Sequence, residues 1–207
     1  MGQSEYAGAV YQRLMRAPDC SAADGGFTAH VLACILALSA GDAQGKHCVL
    51  AETAGFDDCT LLAQIFPGEA DWLRQQSVAV LVRSEDELCL IDLLQRAATA
   101  HTPQQRLLAT MIARRAQRPN HLWQDLGLAN RGELTRLMQS HFAPLARRNR
   151  TDMKWKKFFY RTLCRDAEYS LCMAPSCSEC CDFDKCFNEE GGESLLAHVR
   201  RRADQAA

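Results

Sequence analysis

Cys172, Cys177, Cys180 and Cys186 fall within fifteen residues near the C-terminal end of the chain, separated by four, two and five residues. A loop this short can wrap one centre, so a metal ion or a metal–sulfur cluster is the natural occupant of so dense a thiolate array. The first two gaps repeat the opening of the plant-type iron–sulfur pattern. Pro175 bars a continuous helix between Cys172 and Cys177, and Ser176, Ser178 and Asp182 favour turns that point several sulfurs inward. The expectation is an irregular cysteine-rich loop whose folding requires its metal. Cys181 adds a fifth thiol beside Cys180, but adjacent residues rarely ligate one small centre together.

Zinc would use the same four thiolates. Structural zinc sites, however, usually present two short Cys-x2-Cys knuckles a dozen or more residues apart, and only Cys177 to Cys180 has that form here. A cluster is larger than one ion and better suits four crowded ligands with uneven gaps. Glu179, Asp182, Asp184, Glu189 and Glu190 make the segment strongly negative unless a multivalent metal neutralises it.

The remaining sequence reads as all-α, because apolar residues recur at three- and four-residue steps and alternating patterns are scarce. Helices are expected over Glu5 to Arg16, Thr28 to Ser39, Asp57 to Phe66 and Ala70 to Gln76. Val78 to Val82 is too short and unpartnered for a sheet and is assigned to a buried helix end or connector. Three start signals are firmer: Ser84 with Glu87, Thr102 with Pro103 and Gln105, and Asn130 with Glu133. They open helices expected to end near Ala100, Arg118 and Phe142. A further helix is expected from Asp152 to Cys164, and a short one from Ser194 to about Ala203. The natural division is a helical domain over residues 1–145, with a basic helix and cysteine-rich segment over 146–207 packed on it as one unit.

Arg147, Arg148, Arg150, Lys154, Lys156, Lys157, Arg161 and Arg165 are opposed only by Asp152 and Asp166 in that stretch. Trp155, Phe158, Phe159, Thr162 and Leu163 give the Asp152–Cys164 helix an apolar side, so it can pack and still keep a cationic edge. Lys154, Lys156, Lys157 and Arg161 are candidates for binding an oxyanion or docking an acidic partner. His121 and His141 are reserve metal-site candidates. Cys20, Cys34, Cys48, Cys59, Cys89 and Cys164 are scattered singly and read as small buried hydrophobes, with Cys164 closest to the array.

The formal charge of −1 argues against general nucleic-acid affinity. Polar residues interrupt every apolar run at the N-terminus, and the run from Ala29 to Ala40 falls short of the roughly 20 residues a membrane span needs. A cytoplasmic protein without membrane association is therefore expected, and disulfides are disfavoured there. No catalytic triad, phosphate-binding glycine loop or paired carboxylate constellation is visible, so a carrier or donor is expected rather than a turnover enzyme.

HLWQDLGL (121–128), HFAPLARRN (141–149), MKWKKFFYRTLC (153–164) and CMAPSCSECCDFDKCF (172–187) together resemble the NifQ family of nitrogen-fixing bacteria over about the last ninety residues. One position departs: Asn188 stands where the family usually has glycine, and asparagine tolerates the left-handed backbone nearly as well. The resemblance implies an iron–sulfur protein that binds molybdenum and donates it for assembly of the iron–molybdenum cofactor of nitrogenase. It implies Cys172, Cys177, Cys180 and Cys186 as ligands of a three-iron or molybdenum–iron–sulfur cluster. It implies molybdate as cargo, and the scaffold NifEN and iron protein NifH as partners. Two rival readings stand beside it: a zinc-stabilised interaction or regulatory module, and a simple iron–sulfur electron carrier.

Overall fold

Every regular element among the described residues is helical, in accord with the periodicity of the sequence. The computed structural model describes residues 2–19, 24, 26–46, 49–76 and 81–166. The cysteine array, the Ser194 helix, Cys20, Cys48 and most of the Val78–Val82 connector lie outside them. The order is α1 (Gln3–Leu14), α2 (Phe27–Lys46), α3 (Leu50–Ala54), α4 (Thr60–Ile65), a 3-10 turn (Pro67–Glu69) and α5 (Ala70–Gln75). Then follow α6 (Glu85–Arg96), α7 (Pro103–Ala116), α8 (Leu122–Asp125), α9 (Arg131–His141), α10 (Ala143–Arg148) and α11 (Trp155–Asp166).

The core is built around α2. Val31, Leu32, Ala33, Cys34, Ile35, Leu36 and Ala37 follow one another without a polar break and all are fully buried. A helix apolar on every side must be surrounded, and α1 and α3 pack against it while α7 packs on α3 and α6. The helix runs beyond the expected Ser39 to Lys46, and Gly41 suits the place where α1 comes close: a Cβ there would lie 3.1 Å from the carbonyl oxygen of Gln3. The apolar window Phe27–Gln44 is thus long enough to cross a bilayer, unlike the shorter run read from sequence, but 78% of it is buried inside this fold.

The start signals work in different ways. Thr102 accepts from the Gln105 N–H at 3.3 Å, while Gln105 Oε1 accepts from the N–H groups of Thr102 at 3.3 Å and Ala100 at 3.0 Å. Ser84 caps α6 through the Glu87 N–H at 3.2 Å, but the Glu87 carboxylate turns inward to Arg114 Nε at 3.0 Å instead of returning to the cap. Asn130 accepts from the Glu133 N–H at 3.1 Å, and Glu133 Oε2 takes the N–H of Ala129 at 2.7 Å. Each arrangement satisfies helix-start donors that would otherwise lack partners.

Candidate functional site

The short element α8 places a carboxylate inside the core. Within HLWQDLGL, Leu122, Trp123, Leu126 and Leu128 are buried and drag Asp125 in with them, leaving it 3% exposed. A carboxylate there costs several kcal/mol unless it is paired. Its cation comes from the basic helix: Lys156 Nζ lies 2.5 Å from Asp125 Oδ2 and also donates to the carbonyl of Arg118. Asn120 Nδ2 donates to the other carboxylate oxygen at 3.1 Å. Buried Arg115 donates from Nε to the Asp125 carbonyl at 2.7 Å and from Nη1 to Asp42 at 2.8 Å, and Arg118 reaches the same Asp42 oxygen at 2.7 Å.

Two further ties fix where α11 begins. Asn149 of HFAPLARRN accepts from the Met153 N–H at 2.9 Å and donates from Nδ2 to the Met153 carbonyl at 2.8 Å. Asp152 adopts a left-handed backbone, φ 50°, and Arg131 holds it through its carbonyl at 2.6 Å and its carboxylate at 3.0 Å. From there Trp155, Phe158, Phe159 and Leu163 enter the core, with Trp155 edge-on to Phe158 at a centroid distance of 5.8 Å. Burying side chains of this size contributes roughly 2–3 kcal/mol each. Three stretches quoted from the sequence, 121–128, 141–149 and 153–164, are thereby knit together by direct hydrogen bonds.

The four basic candidates do not act alike. Lys156 flanks the buried face and is committed to Asp125, with 19% of its side chain exposed. Lys154 precedes the first residue of α11, and Lys157 and Arg161 lie one turn apart on the helix; Lys154 and Lys157 are half-buried. Arg161 is exposed, as are Arg147, Arg148 and Arg150 of the preceding turn. The exposed cations of this stretch are therefore Arg147, Arg148, Arg150 and Arg161. The sequence reading missed Asp125 and Arg115. A lone carboxylate inside an otherwise apolar run is the signal that marks Asp125; Arg115 carries no comparable local mark.

The reserve histidines are engaged elsewhere. His141 Nε2 shares a hydrogen bond with Thr28 Oγ1 at 2.9 Å, and His121 stands at the N-cap of α8 with its N–H donating to Gln124 Oε1 at 3.2 Å. Cys34 and Cys59 are buried as expected and Cys89 is half-buried. Among the described residues no group of three or more histidine, cysteine or acidic side chains is arranged to hold a metal ion. Cys172, Cys177, Cys180 and Cys186 lie outside those residues. Their donor set, four thiolates at short uneven spacing, has the chemistry an iron–sulfur cluster requires.

A family model described as NifQ matches residues 31–188, a span that includes the four cysteines. A protein NifQ homolog from Sinorhizobium fredii is 39% identical over 172 residues, covering 81% of this chain and 75% of that protein. Protein NifQ of Rhodobacter capsulatus is 49% identical over 96 residues, 46% of this chain and 52% of that one. Protein NifQ of Azotobacter vinelandii is 40% identical over 88 residues, 42% of this chain and 45% of that one. No solved structure matches the chain. With a family model spanning most of its length and a relative aligned over most of both sequences, the chain belongs to the NifQ family.

Proposed function

We propose that this chain is an iron–sulfur protein that binds molybdenum and donates it for assembly of the iron–molybdenum cofactor of nitrogenase, in the service of nitrogen fixation. The observation that carries the reading is the four-thiolate array inside the family-matched span, beginning six residues after a docked basic helix. Cys172, Cys177, Cys180 and Cys186 would hold the cluster, which when bound supplies a soft sulfur face on which a heterometal can be carried. Molybdenum is cargo, arriving as the oxyanion molybdate.

The chain's own residues divide the work. Lys154, Lys157 and Arg161 offer ammonium and guanidinium donors suited to a tetrahedral oxyanion, and exposed Arg147, Arg148 and Arg150 extend the same field. That field favours encounter with an anionic cargo or an acidic partner surface. NifEN and NifH are the proposed recipients. The transfer is stoichiometric and takes place in the reducing cytoplasm, where thiolates stay available.

Replacing each of the four cysteines by alanine, one at a time, and measuring iron and molybdenum per chain in oxygen-free preparations tests the ligand assignment. Each variant should lose most of its metal, and loaded wild-type chain mixed with NifEN and NifH should pass molybdenum on. Four variants with wild-type metal content would refute the assignment. Loaded chain that retains all its molybdenum in the presence of both partners would refute the donor role.

A further inference from the structure

We infer that Asp125 and Lys156 are positioning residues: their ion pair latches α11, which ends six residues before the first cysteine of the array, to the helical core. The pair joins the polar centre of the core to this helix, with Lys156 also donating to the Arg118 carbonyl, and it is well built. Asp125 is 3% exposed, Lys156 sits 2.5 Å away, and the Asp125 backbone is itself gripped by buried Arg115. Arg115 in turn shares Asp42 of α2 with Arg118 of the turn after α7. A chain of polar contacts therefore runs from the central helix α2 through α7 and α8 to α11.

The Asn149 and Arg131 ties hold the residues before α11, and the ion pair adds a directional contact within the helix itself. Apolar contacts such as those of Phe158 and Phe159 are non-directional, whereas a buried carboxylate accepts a cation at one place and at one separation. Asp125 thereby favours the rotation of α11 that buries Trp155, Phe158 and Phe159 and leaves Arg161 exposed. Cys172 follows Asp166 by six residues, so covalent length holds its Cα within about 22 Å of the Cα that ends the helix. Fixing α11 fixes the point from which the chain runs on to Cys172.

Positioning and direct contact make opposite predictions for the carboxylate. If Lys156 itself bound molybdate, Asp125→Asn would release the ammonium and preserve or raise molybdenum binding. If the pair positions α11, Asp125→Asn harms binding as Lys156→Met does, and the exchanged pair Asp125→Lys with Lys156→Asp recovers it although no cation stands at 156. The conservative Lys156→Arg should retain most of the wild-type behaviour.

The metal arm of the test rests on the function proposed above, so a metal-independent readout accompanies it. Hydrogen exchange of the full-length chain should show amide protection in α11 falling at least tenfold in both single variants, with Val31–Ala37 of α2 at wild-type protection as internal reference. The exchanged pair should restore most of it. In oxygen-free preparations molybdenum per iron should fall severalfold in both single variants and recover in the exchanged pair. A wild-type chain without iron or molybdenum would defeat the proposed function and leave the exchange result to judge the latch. The latch itself is overturned by unchanged α11 protection in the single variants, by equal loss in α2 and α11, by an exchanged pair that restores nothing, or by Asp125→Asn keeping wild-type molybdenum per iron.

Discussion

Arg115 donates from Nη1 to Asp42 Oδ2 at 2.8 Å across 73 positions of sequence, with the arginine side chain 2% exposed. Burial pushes the guanidinium below the ordinary arginine range, and the hydrogen bond and charge of Asp42 oppose that push. The dependence is unequal. Asp42 has a second cation in Arg118 at 2.7 Å, whereas Arg115 has Asp42 as its paired carboxylate and takes only carbonyl oxygens besides.

That inequality predicts different costs for removing the two partners. Asp42→Asn leaves a buried guanidinium without its counter-charge and should destabilise the fold by about 3–5 kcal/mol. Arg115→Met leaves Asp42 with Arg118 and should cost less, about 2 kcal/mol, mostly from the hydrogen bonds lost at the Asp125 and Thr53 carbonyls. Urea denaturation of the two variants measures the order, and equal losses would contradict it.

Helix starts give a second prediction. Ser84→Ala and Asn130→Ala each remove one cap and should cost about 1 kcal/mol. Gln105→Ala should cost more, roughly 1–3 kcal/mol, because Gln105 is buried and its carbonyl oxygen satisfies two backbone donors. The same denaturation series ranks the three.

Gly55 ends α3 with φ +86°, and a Cβ there would lie 2.4 Å from Cβ of Arg114. Gly55→Ala therefore meets both backbone strain and a collision with a helix side chain that has little freedom to retreat. A loss of about 2–3 kcal/mol is expected. Thermal unfolding would expose the error if the variant matched wild type.

The acid limb of stability should trace to His141. Burial holds its imidazole below the ordinary value of 6.5, and the nearby Asp24 carboxylate only partly offsets that. A histidine depressed in the folded state contributes stability that is complete above its unfolded value and lost as pH falls from about 6.5 through the folded one. His141→Gln should flatten stability against pH over that interval. Asp24 titrates in a separate window: burial raises its pKa, but hydrogen bonds from Thr28 and Gly26 and the charge of His141 outweigh that and leave it below 3.8. Its contribution is lost only as pH falls through that lower range, so the His141 variant should keep its steep loss there.

Local signals carried much of the fold into the sequence. Thr102, Pro103 and Gln105 announce α7 because capping chemistry acts over three residues, and the structure keeps both halves of that exchange. Glu87 shows the limit of such a signal. It stands at the right spacing to return to the Ser84 cap, yet two arginines, Arg83 and Arg114, approach it from the connector and from α7, and that tertiary pairing wins. The short elements α3, α8 and α10 were not legible, whereas α4 and α5, six residues each, were, because Pro67 and Gly68 mark the break between them.

The basic candidates show the same division. Composition identified the cationic stretch from Arg147 onward, but only the fold separates Lys156, drawn inward by Asp125, from exposed Arg161. An ion pair across 31 positions leaves no trace in local spacing. The cysteine array is the reverse case: its chemistry is evident from the sequence, and its residues lie outside those the structure describes.

The most direct test of the account is elemental analysis of full-length chain purified without oxygen from cells fixing nitrogen, with electron paramagnetic resonance on the same sample. Iron, acid-labile sulfide and molybdenum should be present together, with an iron–sulfur signal that disappears when the four cysteines are replaced. A colourless protein carrying one equivalent of zinc, or no metal at all, would contradict it.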